Sequence, residues 1–495
     1  CVEEGLFYGD DLPEKDRRVL ERYLATHRGL HLLTRRQFLD KLYRAAYKGR
    51  CLIVGFNLPF DLSRLAYDYA PARGRFAGGF SLGLWSYTDK NGRECPHPFR
   101  PRICIKHIDS KRALKGFTAR NSPDKEDLIP EGSRTGKPEK GYKFRGHFLD
   151  LRTLAFALTD QGYSLEGACK AFDVEHGKQH ATRHGRVTEK YVDYNRRDVL
   201  ATSELALKLL EEYSQHPITL QVTKAYSAAS IGKAYLRAMG IKPILERQPD
   251  FPKTYLGYAQ SAFFGGRTSA HIRKVVAPIV PTDFLSMYPT GNSLMGLWSF
   301  VIARKIKVVK HCKASIEAFL RCLTLTPDKL FEPKTWRGLT AFVKVIPNGD
   351  ILPTRAKYSA ESNDWQVALN HLHAKGTDRS NALWFSLPDV AASVLLTGRI
   401  PKIVDAFRIE ARGKLRGLKP TKLRGVVEVD PRKQDFFRVV IEERKRLALR
   451  SDLPAKEKER LDKALKVLAN AASYGIYAEM NRQETENKVK VTCHG

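Results

Sequence analysis

Long apolar runs are missing from this chain. The longest, Leu294 to Ala303, falls well short of the roughly 20 residues that a spanning helix requires. No secretory leader pattern opens the sequence. Cysteines are sparse and unclustered: eight in 495 residues, with no Cys-x-x-Cys pair. That usage fits reduced thiols in a cytosol-like compartment and excludes a disulfide scaffold. Cys95, His97, Cys104 and His107 are zinc-type ligands, but their spacing fits no common zinc pattern and residues 102–108 alternate as a strand does. Acidic residues are also in short supply. There are 54 Asp+Glu against 85 Lys+Arg, a formal charge of +31. Such an excess favours a polyanionic partner through counterion release, with nucleic acid preferred over a membrane surface.

What is present suffices for several domains with cores of their own: 42% of residues are hydrophobic and 28% charged, ordinary values for a globular protein. The first two hundred residues alternate short apolar runs with helical periods. Leu52–Phe56 predicts a buried strand, and Leu62–Tyr69 a helix whose first turn holds Asp61. Phe148–Arg152 predicts another strand, with a helix from Leu154. Tyr191–Tyr213 predicts a long amphipathic helix with Val199, Leu200, Leu205, Leu207, Leu209 and Leu210 at its apolar positions. Tyr194 and Asp198, four apart, share one face of it. Strands and helices with carboxylates at their junctions predict an α/β nuclease core. Gly116–Gly146 is rich in loop-forming and basic residues. Tyr8-Gly-Asp-Asp11 predicts a turn.

Further on, Val275–Val280 is a β-branched apolar run that predicts a buried strand ending near Asp283. A carboxylate on a rigid strand end suits a divalent cation, because oxygen ligands match Mg²⁺. Pro289 forces a turn, and Tyr288 would wall the pocket beside that ion. Thr223–Gly240, Pro388–Leu396, Gln434–Arg450 and Lys456–Ala472 predict helices, and Leu339–Ile346 a strand. The Pro454 break between the third and fourth helices predicts an αα-hairpin carrying Lys463, Lys466 and Asn470 on one face.

Asp283, Ser286, Tyr288 and Pro289 resemble motif A of the family B DNA polymerases, with Met287 where Leu is usual. Asn57, Phe60 and Asp61 resemble the family's second exonuclease motif, and Tyr194 with Asp198 the third. Phe263, Gly265, Gly266 and Arg267 resemble the Tyr-x-Gly-Gly linker that touches single-stranded template, with Phe263 in the Tyr position. Lys466, Asn470, Tyr474 and Gly475 resemble motif B of the fingers, with Ala471 for Ser and one extra residue before Tyr474. Arg444 matches the first-helix Arg of the fingers.

The resemblance implies a ribonuclease-H-like exonuclease over residues 1–213, a linker over 214–260, a palm with insertion over 261–430, fingers over 431–478 and a return to the palm over 479–495. It implies template-directed DNA synthesis from dNTPs with 3′–5′ proofreading on primer–template DNA, in the cytoplasm and away from membranes. Asp283, Asp61 and Asp198 would be catalytic and hold Mg²⁺, or Mn²⁺, in two-metal sites, with Tyr194 placing the attacking water. Tyr288, Arg444, Lys466, Asn470 and Tyr474 would bind the nucleotide. Asn57, Phe60, Phe263, Gly265, Gly266 and Arg267 would contact DNA. The Asp-x-Glu exonuclease motif and the motif C carboxylate are not found. With Cys1 opening the chain and Gly495 closing it, residues 1–495 are expected to be a piece of the enzyme that binds primer–template but neither extends nor degrades it. A stand-alone or degenerate exonuclease, and a non-catalytic nucleic-acid-binding derivative, are the rival readings. The motifs select neither a processivity factor nor a terminal protein as partner.

Overall fold

A computed structural model of the chain describes residues 3–118, 147–177, 186–263, 272, 275–282, 284, 286–346, 350–353, 382–447, 449–473, 479–485 and 488–494. The protein is mixed α/β and divides into two compact units, Cys1–Ile231 and Gly232–Gly495.

The first unit begins with β1 (Glu4–Tyr8), α1 (Glu14–Thr26) and β2 (Leu30–Thr34), the two strands pairing in parallel. Gly9 O accepts the Leu12 N–H at 3.1 Å, closing the turn expected at Gly-Asp-Asp. After α2 (Arg35–Leu42) come β3 (Leu52–Gly55) and α3 (Leu58–Leu65), then β4 (Asp68–Pro71), β5 (Phe80–Gly83), β6 (Ser86–Thr88), β7 (Glu94–Pro96), β8 (Ile103–His107) and β9 (Ala113–Phe117). β10 (His147–Asp150) runs without a break into α4 (Leu151–Thr159), followed by α5 (Leu165–Ala171) and the 26-residue α6 (Glu189–Ser214). β4, β5, β8 and β9 form one antiparallel sheet, while β3 pairs in parallel with β10. Leu58, Leu62 and Leu65 of α3 recur at helical spacing and are buried against Leu82, Ile103, Ile105 and Phe148.

Local pattern placed most of these elements and misjudged some faces. α3 starts four residues earlier than the apolar run suggested, because Asn57 turns the chain at φ 67° and Pro59 suits a first helical turn. Gly116 lies inside β9, so the expected loop starts later; residues 119–146 lie outside the described residues. On α6, Ala201, Leu205 and Leu209 form the buried stripe, and Val199, Leu200 and Leu207 are exposed. A 100°-wide stripe cannot hold all the apolar residues of that helix.

The second unit includes most of α7 (Ala228–Ala238), then α8 (Ile244–Arg247), α9 (Lys253–Ser261), α10 (Met287–Leu294) and α11 (Trp298–Val301). Next come β11 (Ala303–Val309), α12 (Lys313–Leu325), α13 (Pro333–Trp336), β12 (Ala341–Ile346), β13 (Leu383–Ser386), α14 (Leu387–Thr397) and β14 (Lys402–Lys414). β15 (Thr421–Leu423) and β16 (Val427–Val429) form a hairpin before α15 (Phe436–Leu447) and α16 (Ala455–Ser473). A last hairpin joins β17 (Glu479–Thr485) to β18 (Lys488–His494). The central antiparallel sheet has the order β11-β14-β12-β13. Its two faces follow the period of two. Val343, Val345 and Ala406 pack on Ile316, Leu320 and Val390 of α12 and α14, whereas Phe342 and Phe407 stack at 5.0 Å on the face that also meets Tyr258 of α9.

One expectation is overturned. Val275–Val280 is not a strand and is not buried: Val275, Val276, Ile279 and Val280 are all strongly exposed. Pro278 and Pro281 each remove a backbone donor, so this run has little to offer a ladder.

Candidate nucleic-acid and nucleotide sites

In the first unit, parallel pairing sets Gly55 beside Asp150. Asp150 is a buried carboxylate that caps α4, accepting the Arg152 N–H at 3.0 Å and the Asn57 N–H at 3.2 Å. Lys115 of β9 reaches it from the other side, Nζ to Oδ2 at 3.4 Å, and the two side chains are only 3% and 4% exposed. Burial pushes the Lys115 ammonium down from its ordinary pKa, and the neighbouring Asp150 opposes that shift. Asp61, in the first turn of α3, carries its carboxyl over Gly55; a Cβ on that glycine would meet Oδ2 at 3.9 Å. The residue as a whole is exposed, yet its carboxyl is desolvated where it leans on the strand. Its pKa is pushed up to about 6, first by burial and then by the charge of Asp150.

Sequence reasoning missed Lys115 and Asp150. The signal for Asp150 was present, since an Asp closing a strand directly before a helix is a natural N-cap. Nothing local marks Lys115.

Tyr194 and Asp198 do lie together on α6, where the Tyr194 ring stacks on Tyr191 at 5.7 Å. Asp198 is half-buried near Cys169 of α5, whose thiol is pushed up by burial and then by the Asp198 and Glu204 charges. Arg196 ties α6 to the start of the unit, donating to Glu4 at 2.8 and 3.0 Å and to the Tyr23 hydroxyl at 2.9 Å. Among the described residues, three metal-type ligands come within 4.8 Å of one another only at Glu175, His176 and Glu204. Asp61, Asp150 and Asp198 do not make such a group, and Asp150 already has the Lys115 ammonium beside it.

Beside this carboxylate pair opens a cleft of about 680 Å³ whose wall includes Asn57, Phe60, Tyr67, Tyr69, Phe80 and His107. Phe60, Tyr69 and Phe80 are more than half exposed, and the Arg64 guanidinium sits 4.8 Å from the Phe60 ring centre. Exposed rings around a groove present π faces of the kind on which unpaired bases stack. No Lys or Arg lines the cleft, and its one acid, Asp68, is bonded to Arg102 at 2.8 Å.

In the second unit, Ser286 turns the chain at φ 51° into α10, which packs on both α15 and α16. Arg444 of α15 lies at that junction. Its Nε and Nη2 donate to the two Asp462 oxygens at 2.7 and 3.2 Å, and Nη1 donates to Ser286 Oγ at 2.8 Å. The guanidinium fork expected to grip a triphosphate therefore clamps the hairpin and the start of α10 together. Tyr288 is exposed in the first turn of α10, Lys466 is exposed on α16, and Asn470 is half-buried one turn on. Phe263 is exposed after α9. Asp283, Gly265, Gly266, Arg267 and Tyr474 lie outside the described residues.

No family model, curated protein or solved structure matches this chain. Among the described residues no helix is long and apolar enough to cross a membrane.

Proposed function

We propose that the chain carries the exonuclease, palm and fingers elements of a family B DNA polymerase, acting in the cytoplasm on primer–template DNA and dNTPs. The observation that carries this reading is the hydrogen bond from Arg444 to Ser286, 158 residues apart in sequence. The segment that resembles motif A meets there the Arg that resembles the first-helix Arg of the fingers, and α15 and α16, which carry Arg444 and Lys466, are the two helices expected on either side of Pro454. In this reading the first unit is a ribonuclease-H-like 3′–5′ exonuclease, with Asn57 and Phe60 holding the single-stranded end.

Mg²⁺, or Mn²⁺ in its place, supplies Lewis-acid charge for phosphoryl transfer when bound; Asp283 in the palm and Asp61 in the exonuclease would be among its ligands. Lys466 meets the triphosphate as a point charge on an open helix face and stabilises the negative charge that moves toward the leaving pyrophosphate. Tyr288 fills the space a ribose 2′-OH would need. Arg444 acts through the side chains it clamps, Ser286 and Asp462, keeping α10 and the hairpin in register.

The test is formation of a ternary complex. Primer–template bound to this chain should be stabilised by the dNTP that matches the template base, and not by the matching rNTP. Lys466→Ala should weaken that dependence at least tenfold, as loss of a charged hydrogen bond worth about 1.5–3 kcal/mol does. Tyr288→Ala should let the rNTP substitute. A complex indifferent to the matched dNTP would sink the reading. Asp61, Asp150 and Asp198 do not gather as a group of metal-type ligands, which favours a second reading for the first unit, a single-strand binder that does not hydrolyse. Degradation of a 3′ end that stops in Asp61→Ala would exclude it.

A further inference from the structure

The segment after α10 had no role legible in sequence, yet with the residues that lead into α15 it builds a basic concavity in the second unit. A cleft of about 820 Å³ opens between α11, the ends of β11 and β14, and the turn before α15. Six cations line it: Arg337, Arg412, Lys414, Arg432, Lys433 and Arg438, against two carboxylates, Glu410 and Asp435. All six are exposed. Arg412 is paired with Glu410, Lys433 lies 3.8 Å from Asp430, and Arg438 lies 2.7 Å from Glu442.

The other three are different. Lys414 Nζ donates to the Arg432 carbonyl at 2.6 Å, and Arg432 donates to the Arg416 carbonyl at 2.9 Å. Those partners orient the cations without neutralising them. Arg337, Lys414 and Arg432 have no carboxylate partner among the described residues.

The acid side is closed off as well. Asp435 accepts the Phe437 and Arg438 N–H groups at 2.9 and 3.4 Å, so its charge is held at the start of α15. The floor is rigid: buried Trp298 donates Nε1 to the Pro431 carbonyl at 3.2 Å and stacks on Phe436 at 5.7 Å. Arg412 and Lys414 alternate with Arg304 and Gly413 along β14 and its partner β11, so they project from one face of a fixed strand.

We propose that this cleft seats the phosphodiester backbone of a nucleic-acid strand. Three uncompensated cations around a rigid concave floor match a row of phosphates better than a single anion. A flat membrane surface would not reach the floor. Contacts to phosphates carry no sequence information, so binding through these cations would be independent of sequence. The inference stands on the cation geometry and does not require the polymerase reading.

The full chain, titrated against a fluorescent oligo-dT over a salt series, tests it. Replacing Arg337, Lys414 and Arg432 together by Glu should lower affinity more than tenfold. It should also make the fall of log K with log salt shallower by about 2, since each phosphate contact on a single strand contributes about 0.7 to that slope. The same charge change at Lys15, Arg18 and Arg22, three exposed cations of α1, is the control and should change both quantities much less. The milder triple replacement by Ala, checked for an unaltered melting curve, separates loss of binding from loss of folding. Duplex of the same sequence and inorganic polyphosphate, added as competitors, should displace oligo-dT from the parent and not from the Ala variant. Equal losses in cleft and control variants, or an unchanged salt slope in the Ala variant, would overturn the proposal. The oligo-dT titration contains no dNTP, so failure here and failure of the matched-dNTP test of the polymerase reading are separate results.

Discussion

Two clefts, one in each unit, differ in kind. The cleft of the first unit is walled by Phe60, Tyr67, Tyr69, Phe80 and His107 and contains no Lys or Arg, whereas that of the second is ringed by six cations over a buried tryptophan. A net charge of +31 is thus not spread as a uniform coat. The first cleft offers π faces, which suit bases freed from a duplex and are insensitive to salt. The second offers charge, which suits phosphates and weakens steeply with salt.

The buried ion pair behind the aromatic cleft is where the contrast breaks most sharply. Lys115→Met leaves the Asp150 carboxylate buried without its cation, a change that costs about 3–5 kcal/mol in comparable pairs. A large drop in the melting temperature of the first unit, with the second unit's transition unmoved, is the expected calorimetric result. Two transitions shifting together would show that the units do not unfold independently.

Stacking comes next. Phe60→Ala should weaken binding of a single strand by about 1–3 kcal/mol with the salt slope unchanged. A shallower slope would mean that Phe60 acts by holding Arg64, whose guanidinium lies over its ring, and the division of labour between the clefts would fail.

The clamp on the hairpin is a smaller effect. Arg444→Lys keeps the charge and loses the fork that holds both Asp462 oxygens and Ser286. Loss of about 1–2 kcal/mol in the stability of the second unit is expected. If stability holds and only nucleotide affinity falls, Arg444 contacts the ligand directly.

The smallest is a pH effect. Asp61 has its carboxyl pKa pushed up to about 6 by burial and by Asp150, above the usual carboxylate value of about 3.9. Between those two values the folded chain holds a proton that the unfolded chain has released. Stability contributed by this group therefore falls as pH rises from about 4 to about 6 and stays low above. Asp61→Asn should flatten that part of the profile and be more stable than the parent at neutral pH. Urea melts across that window check it, and an unchanged slope would mean that the carboxyl is solvated.

Helices and strands whose stabilising pattern is local were legible in the sequence. The hairpin of α15 and α16 could be placed because apolar residues recur at helical spacing on either side of Pro454, Phe436, Val440 and Leu447 before it and Leu461, Leu465 and Leu468 after it. β12 could be placed because Val343 and Val345 alternate with polar or aromatic neighbours. Val275–Val280 had the composition of a strand but lacked a pairing partner, and composition cannot report that. The side chains of the sites obey the same division. Asp61, Asp198, Lys466 and Arg444 could be singled out by type and spacing. Only the tertiary structure decided that Asp150, 93 residues from Asn57, would cap the same strand end, and that Lys115 would be buried against it. Only it decided that Arg444 would be held by Asp462 and Ser286, and that Arg337, Lys414 and Arg432 would share one cleft. Periodicity is set by neighbours a few residues away, whereas the charge a carboxylate or guanidinium meets is set by whichever distant strand or helix the core brings beside it.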